Sequence, residues 1–349
     1  MTLSYQAGWP NAFHSSEYFD TSFVNLAEHR AKVAAKLIYL LHGNHNIDAC
    51  ICLHSVFSNS CNIRREIKRV LRNASATKVY FLGNEYKLMP EKLDLIREIN
   101  AKLVFTQSNN YDVINLYKAN LPCSVKYMPS CGIDPSIFFC TTKYDDRDID
   151  VGYRSYRSPL YMGNNERAEI ATYFSAYCKQ HNLSADISLE PKDRFTILEY
   201  ARFLNRCKFQ LGSEAGGDYY EITDETRNKI NKYDESQQSD WENIYSVFFK
   251  DRKDKLKLRA ISGRITEAAA CGSVQILFEG DYCGYMQPDK HFISLKKDFS
   301  NIKEVQKKMN NLDLIDEIRQ NAIDMTLKFF TYNALIKATY EELVKLIEL

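Results

Sequence analysis

Ser262-Gly-Arg-Ile-Thr-Glu-Ala-Ala-Ala-Cys-Gly272, running into Ser273-Val-Gln-Ile-Leu-Phe278, is the stretch on which the reading of this chain turns. Its first half carries small residues that let a short helix pack closely on a sheet, and Gly272 suits the helix's end. Its second half is an apolar run of strand length. The spacing predicts a helix over 264–271 and a strand over 274–278. The amino end of such a helix directs free amides and a positive dipole toward the adjoining cleft, ready for phosphate. Arg264 and Thr266 stand on that first turn, and Glu267 there is placed to reach a ribose diol. A solvated Glu267 is the plainer alternative.

The same alternation extends upstream. Helical spacing is read over 23–41, 64–71, 90–100 and 112–120, with apolar strand-length runs at 47–53, 78–82, 103–106 and 125–128. Pro90 favours a first helical turn. Strands alternating with helices predict a parallel sheet flanked by helices. Residues 139–150 are polar and charge-dense, and then the pattern restarts. Strands are expected at 150–153, 185–189, 209–212, 274–278 and 292–295, with helices at 166–180, 197–205, 302–309 and 314–329. Residues 221–258 read as a helical insertion and 332–349 as a closing helix. This divides the chain into 1–140, 150–331 and the terminal helix, an α/β protein with two Rossmann-like units. Two such sheets leave a cleft between their strand carboxyl ends, where ligands bind.

Composition narrows the classes. The chain has 349 residues, 45% hydrophobic and 26% charged, enough to bury two ordinary cores. A formal net charge of +1 predicts no nucleic-acid partner and leaves room for a local basic patch. Ten cysteines show no C-x-x-C pair and the histidines no metal spacing, so reduced core thiols and no metal are expected. Cys50 and Cys52, two apart in a strand, share a face. Met1 to His14 lack a basic segment followed by an apolar core, and no apolar run approaches a membrane span. A cytoplasmic protein is expected, with peripheral membrane association left open.

Several polar residues come directly after strands. Arg154, Tyr156 and Arg157 sit after the 150–153 strand, where guanidinium forks match a diphosphate; Arg167 joins them or lies on the next helix's exposed face. Gly212, Ser213 and Glu214 open a glycine-rich turn through which backbone amides approach a ligand, and Glu214 suits sugar or ribose hydroxyls. In the first half, Glu85 within Asn84-Glu-Tyr86 reads as a general base or as a structural acid. His54 reads as a second candidate base or as a structural histidine. Asp145 and Asp146 lie in the linker.

At Arg264-x-x-Glu267-Ala-x-Ala-Cys-Gly272 with Gln275-Ile-Leu-Phe-Glu-Gly280, the chain resembles the donor-site segment of bacterial GT-B glycosyltransferases. Tyr282 to Tyr285, Pro288 and the run from His291 to Asn301 resemble the next segment of one subgroup, similar to CgeB. Asp150-Val-Gly-Tyr-Arg154 and Gly212-Ser-Glu-Ala-Gly216 resemble the same subgroup, while Met128-Pro-Ser-Cys-Gly-Ile-Asp134 resembles the crossover turn between domains. The resemblance covers roughly residues 47–330. It implies a second domain that binds a nucleotide sugar, a first that binds a glycan or lipid-linked acceptor, and a closing helix that crosses back onto the first domain. Glu267 would hold the ribose and Arg264 the diphosphate, with no cofactor. Arg259 stands where the paired-glutamate version of the motif has its earlier acid, which leaves open whether configuration is retained or inverted. An epimerase or hydrolase on the same fold, or a non-catalytic nucleotide-sugar binder, are the alternatives.

Overall fold

A computed structural model describes residues 4–26, 28–43, 46–57, 60–61, 63–237, 240–252 and 256–347. Its first sheet contains β1 (Ala49–Cys52), β2 (Thr77–Phe81), β3 (Leu103–Thr106) and β4 (Ser124–Tyr127), all parallel and in that spatial order. Val79, Tyr80, Phe81 and Leu82 are all nearly inaccessible, which is why this strand reads as an unbroken apolar run. The accompanying helices are α1 (Ser4–His14), α2 (Arg30–His42), α3 (Arg65–Asn73), α4 (Met89–Glu98) and α5 (Tyr111–Asn120). Asn110 caps α5 by accepting from the amides of Asp112 and Val113, and Pro90 occupies the first turn of α4.

Because the four strands lie in sequence order, right-handed crossovers send α3, α4 and α5 to the same face. There Ile67, Leu71, Leu93, Ile96 and Val113 pack against Tyr80, Leu82, Val104 and Val125. The opposite face presents Val79, Phe81, Leu103 and Phe105, and no crossover helix covers it. It is closed by the two ends of the described chain. Trp9 and Phe13 of α1 lie on it together with Tyr332, Leu335, Ile336 and Leu343 of the final helix, α13 (Tyr332–Ile347).

The second sheet has the order β11-β10-β7-β5-β6. These strands are β5 (Ile149–Arg154), β6 (Ala185–Ser188), β7 (Cys207–Gly212), β10 (Val274–Phe278) and β11 (Ile293–Leu295); β8 (Ala215–Gly217) and β9 (Leu258–Ala260) form a separate antiparallel ribbon. Of its helices, α6 (Glu166–Gln180), α11 (Ile302–Met309) and α12 (Leu312–Phe329) pack on one face through Phe174, Val305, Ile315 and Ile318, while α7 (Ile197–Arg206) and α10 (Gly263–Ala270) use Phe203, Leu204 and Ala268 on the other. Thr196 and Glu199 form a capping box that starts α7. The 221–258 region carries α8 (Glu225–Gln237) and α9 (Trp241–Phe248), with a small core of Ile230, Ile244 and Phe249. The ten cysteines are free thiols.

The chain passes between the sheets twice, and the two passages are bonded to each other. The Ile133 amide donates to the Phe330 carbonyl at 2.7 Å, and the Tyr332 amide donates to the Ile133 carbonyl at 3.2 Å. A Cβ at Gly132 would meet the Tyr332 ring at 2.9 Å, so only glycine permits this approach.

Two sequence expectations are corrected. The helix expected from Phe23 starts at Arg30; Val24 and Leu26 pack on the core from irregular chain, so tertiary contact produced the apolar spacing there. Residues 4–14, given no element from sequence, form α1, and the Trp9 indole N–H donates to the Ser130 carbonyl at 2.9 Å. Of the closing segment, residues 348–349 lie outside the described residues.

Candidate functional site

In sequence order the second sheet runs second, first, third, fourth, fifth, so the winding reverses between β5 and β7. Crossovers leave in opposite directions there and open a crevice at the strand carboxyl ends. The first sheet has no such reversal. The segments that leave β5 and β7, together with the start of α10, build the candidate site.

Tyr156 is its centre. The guanidinium of Arg167 lies 4.5 Å from the ring centroid, that of Arg264 at 5.7 Å and that of Arg194 at 5.9 Å. Among the described residues, none of these three arginines is paired with a carboxylate. Burial would push the Tyr156 phenol up, but the charges of Arg167, Arg264 and Arg194 outweigh it and hold the phenol below the ordinary tyrosine range. Other cations stand at the same mouth. Lys87 of the first domain is held below the usual lysine range by burial and by Arg227. Arg227 pairs with Asp224 at 2.8 Å and lies 5.9 Å from the Tyr161 ring. Such a concentration of positive charge in a partly closed cleft attracts an anion strongly.

Behind Arg264 lies a cavity of about 10 Å³, lined by Tyr153, Tyr200, Gln210, Ser213, Ser262 and Gln275 among others. Gln210 and Gln275 face each other across the β7–β10 register. Both are buried, and the Nε2 of each has no hydrogen-bond partner. The volume fits one water-sized acceptor. Ser262 gives α10 no side-chain cap; the Ile265 amide is taken by the Ser262 carbonyl at 3.0 Å, and the amides of Gly263 and Arg264, at the very start of the helix, are the ones left to this end of the site.

The sequence-named donor residues divide. Gly212, Ser213 and Arg264 meet at this cavity. Glu267 lies one turn into α10, buried, with Oε1 3.8 Å from where a Cβ on Gly263 would stand. Burial and then Glu267's charge push the neighbouring Cys131 thiol up to about 12. Thr266 does not present its hydroxyl outward, because Oγ1 donates to the Gly263 carbonyl at 3.0 Å. Arg157 is exposed on the turn.

Arg154 is a correction. Its guanidinium pairs with the Asp186 carboxylate on β6, donates to the Asp186 carbonyl at 2.9 Å, and lies over Phe195 and Phe203. It ties β5 to β6 and α7. Glu214 is likewise committed: its Oε1 accepts from the Tyr282 amide at 2.8 Å, and Gly280 leaves room for Oε2. Arg259, at the motif's variant position, makes a bidentate pair with Glu166 and a further pair with Asp218, in a network joined by Lys297. That position holds α6, β8 and β9 together.

Both candidate bases are corrected too. Glu85 is buried, and its oxygens accept from the Thr106 hydroxyl, the Tyr117 hydroxyl and the Gln107 amide, each at 2.6 Å. Tyr117 in turn accepts from the Tyr220 hydroxyl, so Glu85 anchors a hydrogen-bonded chain from the first domain to the segment after β8. Burial pushes its carboxyl up despite those donors. His54 comes just after β1 but is 7% exposed and flanked by Trp9 and Phe81, with ring centroids at 5.9 and 5.4 Å. Burial lowers its pKa to about 3, too weak a base to hold a proton near neutrality. Glu85→Ala should therefore cost about 3–5 kcal/mol of stability, because it strands three buried donors. Nucleotide affinity should stay within about twofold. Normal thermal stability with abolished turnover would return Glu85 to catalysis.

Sequence comparison adds nothing to this geometry: no protein-family model matches the chain, and no curated protein matches it. Structural comparison does add to it. A sucrose-phosphate synthase from Thermosynechococcus elongatus superposes with a TM-score of 0.51 at 10% identity, over 95% of this chain and 82% of that one. The Anabaena protein HepE, solved in complex with UDP, gives 0.50 at 12% identity, over 90% of this chain and 82% of that one. The fold is GT-B. In this GT-B chain the crevice at the winding reversal belongs to the second domain, and α13 makes the return to the first. Among the described residues, no cluster of His, Cys, Asp or Glu is arranged to hold a metal ion, and no helix is long and apolar enough to cross a membrane.

Proposed function

We propose that the chain is a glycosyltransferase that moves a sugar from a nucleoside-diphosphate donor to a hydroxyl of a glycan or lipid-linked acceptor, in surface polysaccharide synthesis. The observation that carries this reading is the set of three guanidinium groups around Tyr156 beside the amino end of α10. Three cations without carboxylate partners need an anion of high charge density, and a diphosphate supplies one. UDP in the HepE complex is the corresponding ligand class in a protein of the same fold.

In this mechanism the bond between the anomeric carbon and the diphosphate oxygen breaks while the acceptor hydroxyl oxygen bonds to that carbon, and the hydroxyl proton passes to the departing diphosphate. Arg167, Arg264 and the α10 amides stabilise the negative charge that develops on the departing diphosphate. Glu267, on the same turn of α10, holds the ribose. The leaving charge is neutralised by protein groups, so turnover should survive EDTA without loss. Activity abolished by the chelator and restored by magnesium or manganese would overturn the metal-independent reading. The decisive assay measures release of nucleoside diphosphate from a panel of donors, with and without acceptor glycans. Release that depends on acceptor supports transfer. Release without acceptor makes the protein a hydrolase, and binding without release makes it a sensor.

A further inference from the structure

The first domain carries an outer surface that the cleft does not use. α2 and α3 pack side by side, linked by the His42 Nε2 contact with the Val70 carbonyl at 3.2 Å. Their inward residues, Val33, Leu37, Ile67 and Leu71, face the core. Their outward residues include Lys32 and Lys36 on α2, with Arg64, Arg65, Arg69 and Arg72 on and just before α3, all exposed. Among the described residues none of these six has an ion-pair partner; on these helices only Lys68 is paired, with Glu98. In the sequence, 30–42 and 64–73 hold eight Lys and Arg against one acid, Glu66, in a chain whose overall charge is +1. Positive charge is therefore concentrated here while the remainder of the chain is net acidic.

Two large apolar side chains stand among these cations. Ile38 is 49% exposed and Tyr39 63% exposed on the outward side of α2. Cations interleaved with a protruding aliphatic and an aromatic ring are what an anionic bilayer surface recognises: the cations meet headgroup charge, and the apolar groups enter the acyl boundary. A nucleic acid would use the cations but offers no apolar layer for Ile38. The position fits as well. Chain leaving the carboxyl end of β1 leads into Arg64 and Arg65, so these residues stand at the cleft-facing end of the first sheet.

We propose that the α2–α3 face docks the protein on an anionic membrane surface, through Lys32, Lys36, Arg64, Arg65, Arg69 and Arg72 for the headgroups and Ile38 and Tyr39 for the interface. The proposal is independent of the donor chemistry and is read without any nucleotide. The full chain is sedimented with vesicles of phosphatidylcholine alone and of phosphatidylcholine with phosphatidylglycerol, and separately titrated with polyadenylate as a polyanion without an apolar phase. Binding is expected to the phosphatidylglycerol vesicles only, and to weaken as salt is raised. The R65E/R69E/R72E variant should lose about a hundredfold in vesicle partitioning. The I38S/Y39S variant should lose about tenfold on vesicles. All five positions are exposed, and unchanged thermal melting of both variants checks that the fold is kept. Failure of the native chain to sediment with phosphatidylglycerol vesicles overturns the proposal. So does polyadenylate binding tighter than vesicle binding with I38S/Y39S without effect, which would make the face a nucleic-acid surface.

Discussion

Ile336→Asp should unfold the first domain under conditions in which the native chain is fully folded. Ile336 is 0% exposed and shares its cluster with Val79, Phe81, Leu103 and Phe105, the face of the first sheet that no crossover helix covers. An unpaired carboxylate there loses the isoleucine's burial and adds the cost of a desolvated charge, together about 4 kcal/mol or more. Trp9 reports the event, because it is 1% exposed and its ring stands 5.7 Å from Tyr332 and 5.0 Å from Phe81. Trp241 is the only other tryptophan, so a Trp241→Phe background isolates the Trp9 signal. The Trp9 transition should move to much lower denaturant. A midpoint equal to the parent's would mean that α13 contributes little to the first sheet.

Arg264→Ala should lower affinity for nucleoside diphosphate by about ten- to a hundredfold, the range for one charge-assisted phosphate contact in a partly closed site. Arg167→Ala should lose as much, since its guanidinium is the one nearest the Tyr156 ring. Affinity for the unphosphorylated nucleoside should change little in either variant, which separates phosphate contact from damage to the fold. Arg154→Ala provides the contrast. It breaks the Asp186 pair and the stacking on Phe195 and Phe203, and should lower stability while sparing affinity. Calorimetric titration reads all three. Unchanged affinity in Arg264→Ala removes it from the site, and a loss confined to Arg154→Ala would return the phosphate to the turn after β5.

The alternation of strands and helices was legible because parallel strands buried on both faces read as unbroken apolar runs, as at Val79 to Leu82. Strand order was not. It depends on which helix packs on which face, and the sequential order of the first sheet has no local signature. The N-terminal helix did leave a trace, Trp9 and Phe13 at a spacing of four, but Pro10 between them masked it. In the site, Arg154, the arginine expected to meet a diphosphate, is instead held by Asp186. This carboxylate on the neighbouring strand captures Arg154, while the arginines that do gather lie around Tyr156, two residues further on. That capture is a result of the β5–β6 register, which sequence alone does not disclose. Arg194 lay outside every motif, on the loop before α7. Glu85 looked catalytic because it comes soon after a strand, and its true partners, Tyr117 and Tyr220, are brought together only by the fold.

Closure of the first sheet by α13 also sets a timetable for synthesis. Residues 77–106 leave the ribosome with one side of their sheet covered by α1 alone, and Tyr332 comes roughly 200 residues after the end of β4. At 5–20 residues per second, that interval lasts about 10–40 seconds. Throughout it Val79, Phe81, Leu103 and Phe105 form a sticky surface of which only the α1 part of the cover has been translated. The domain that begins first in the polypeptide is thus the one that finishes last, and the nascent chain is most vulnerable to aggregation while its second half is being made.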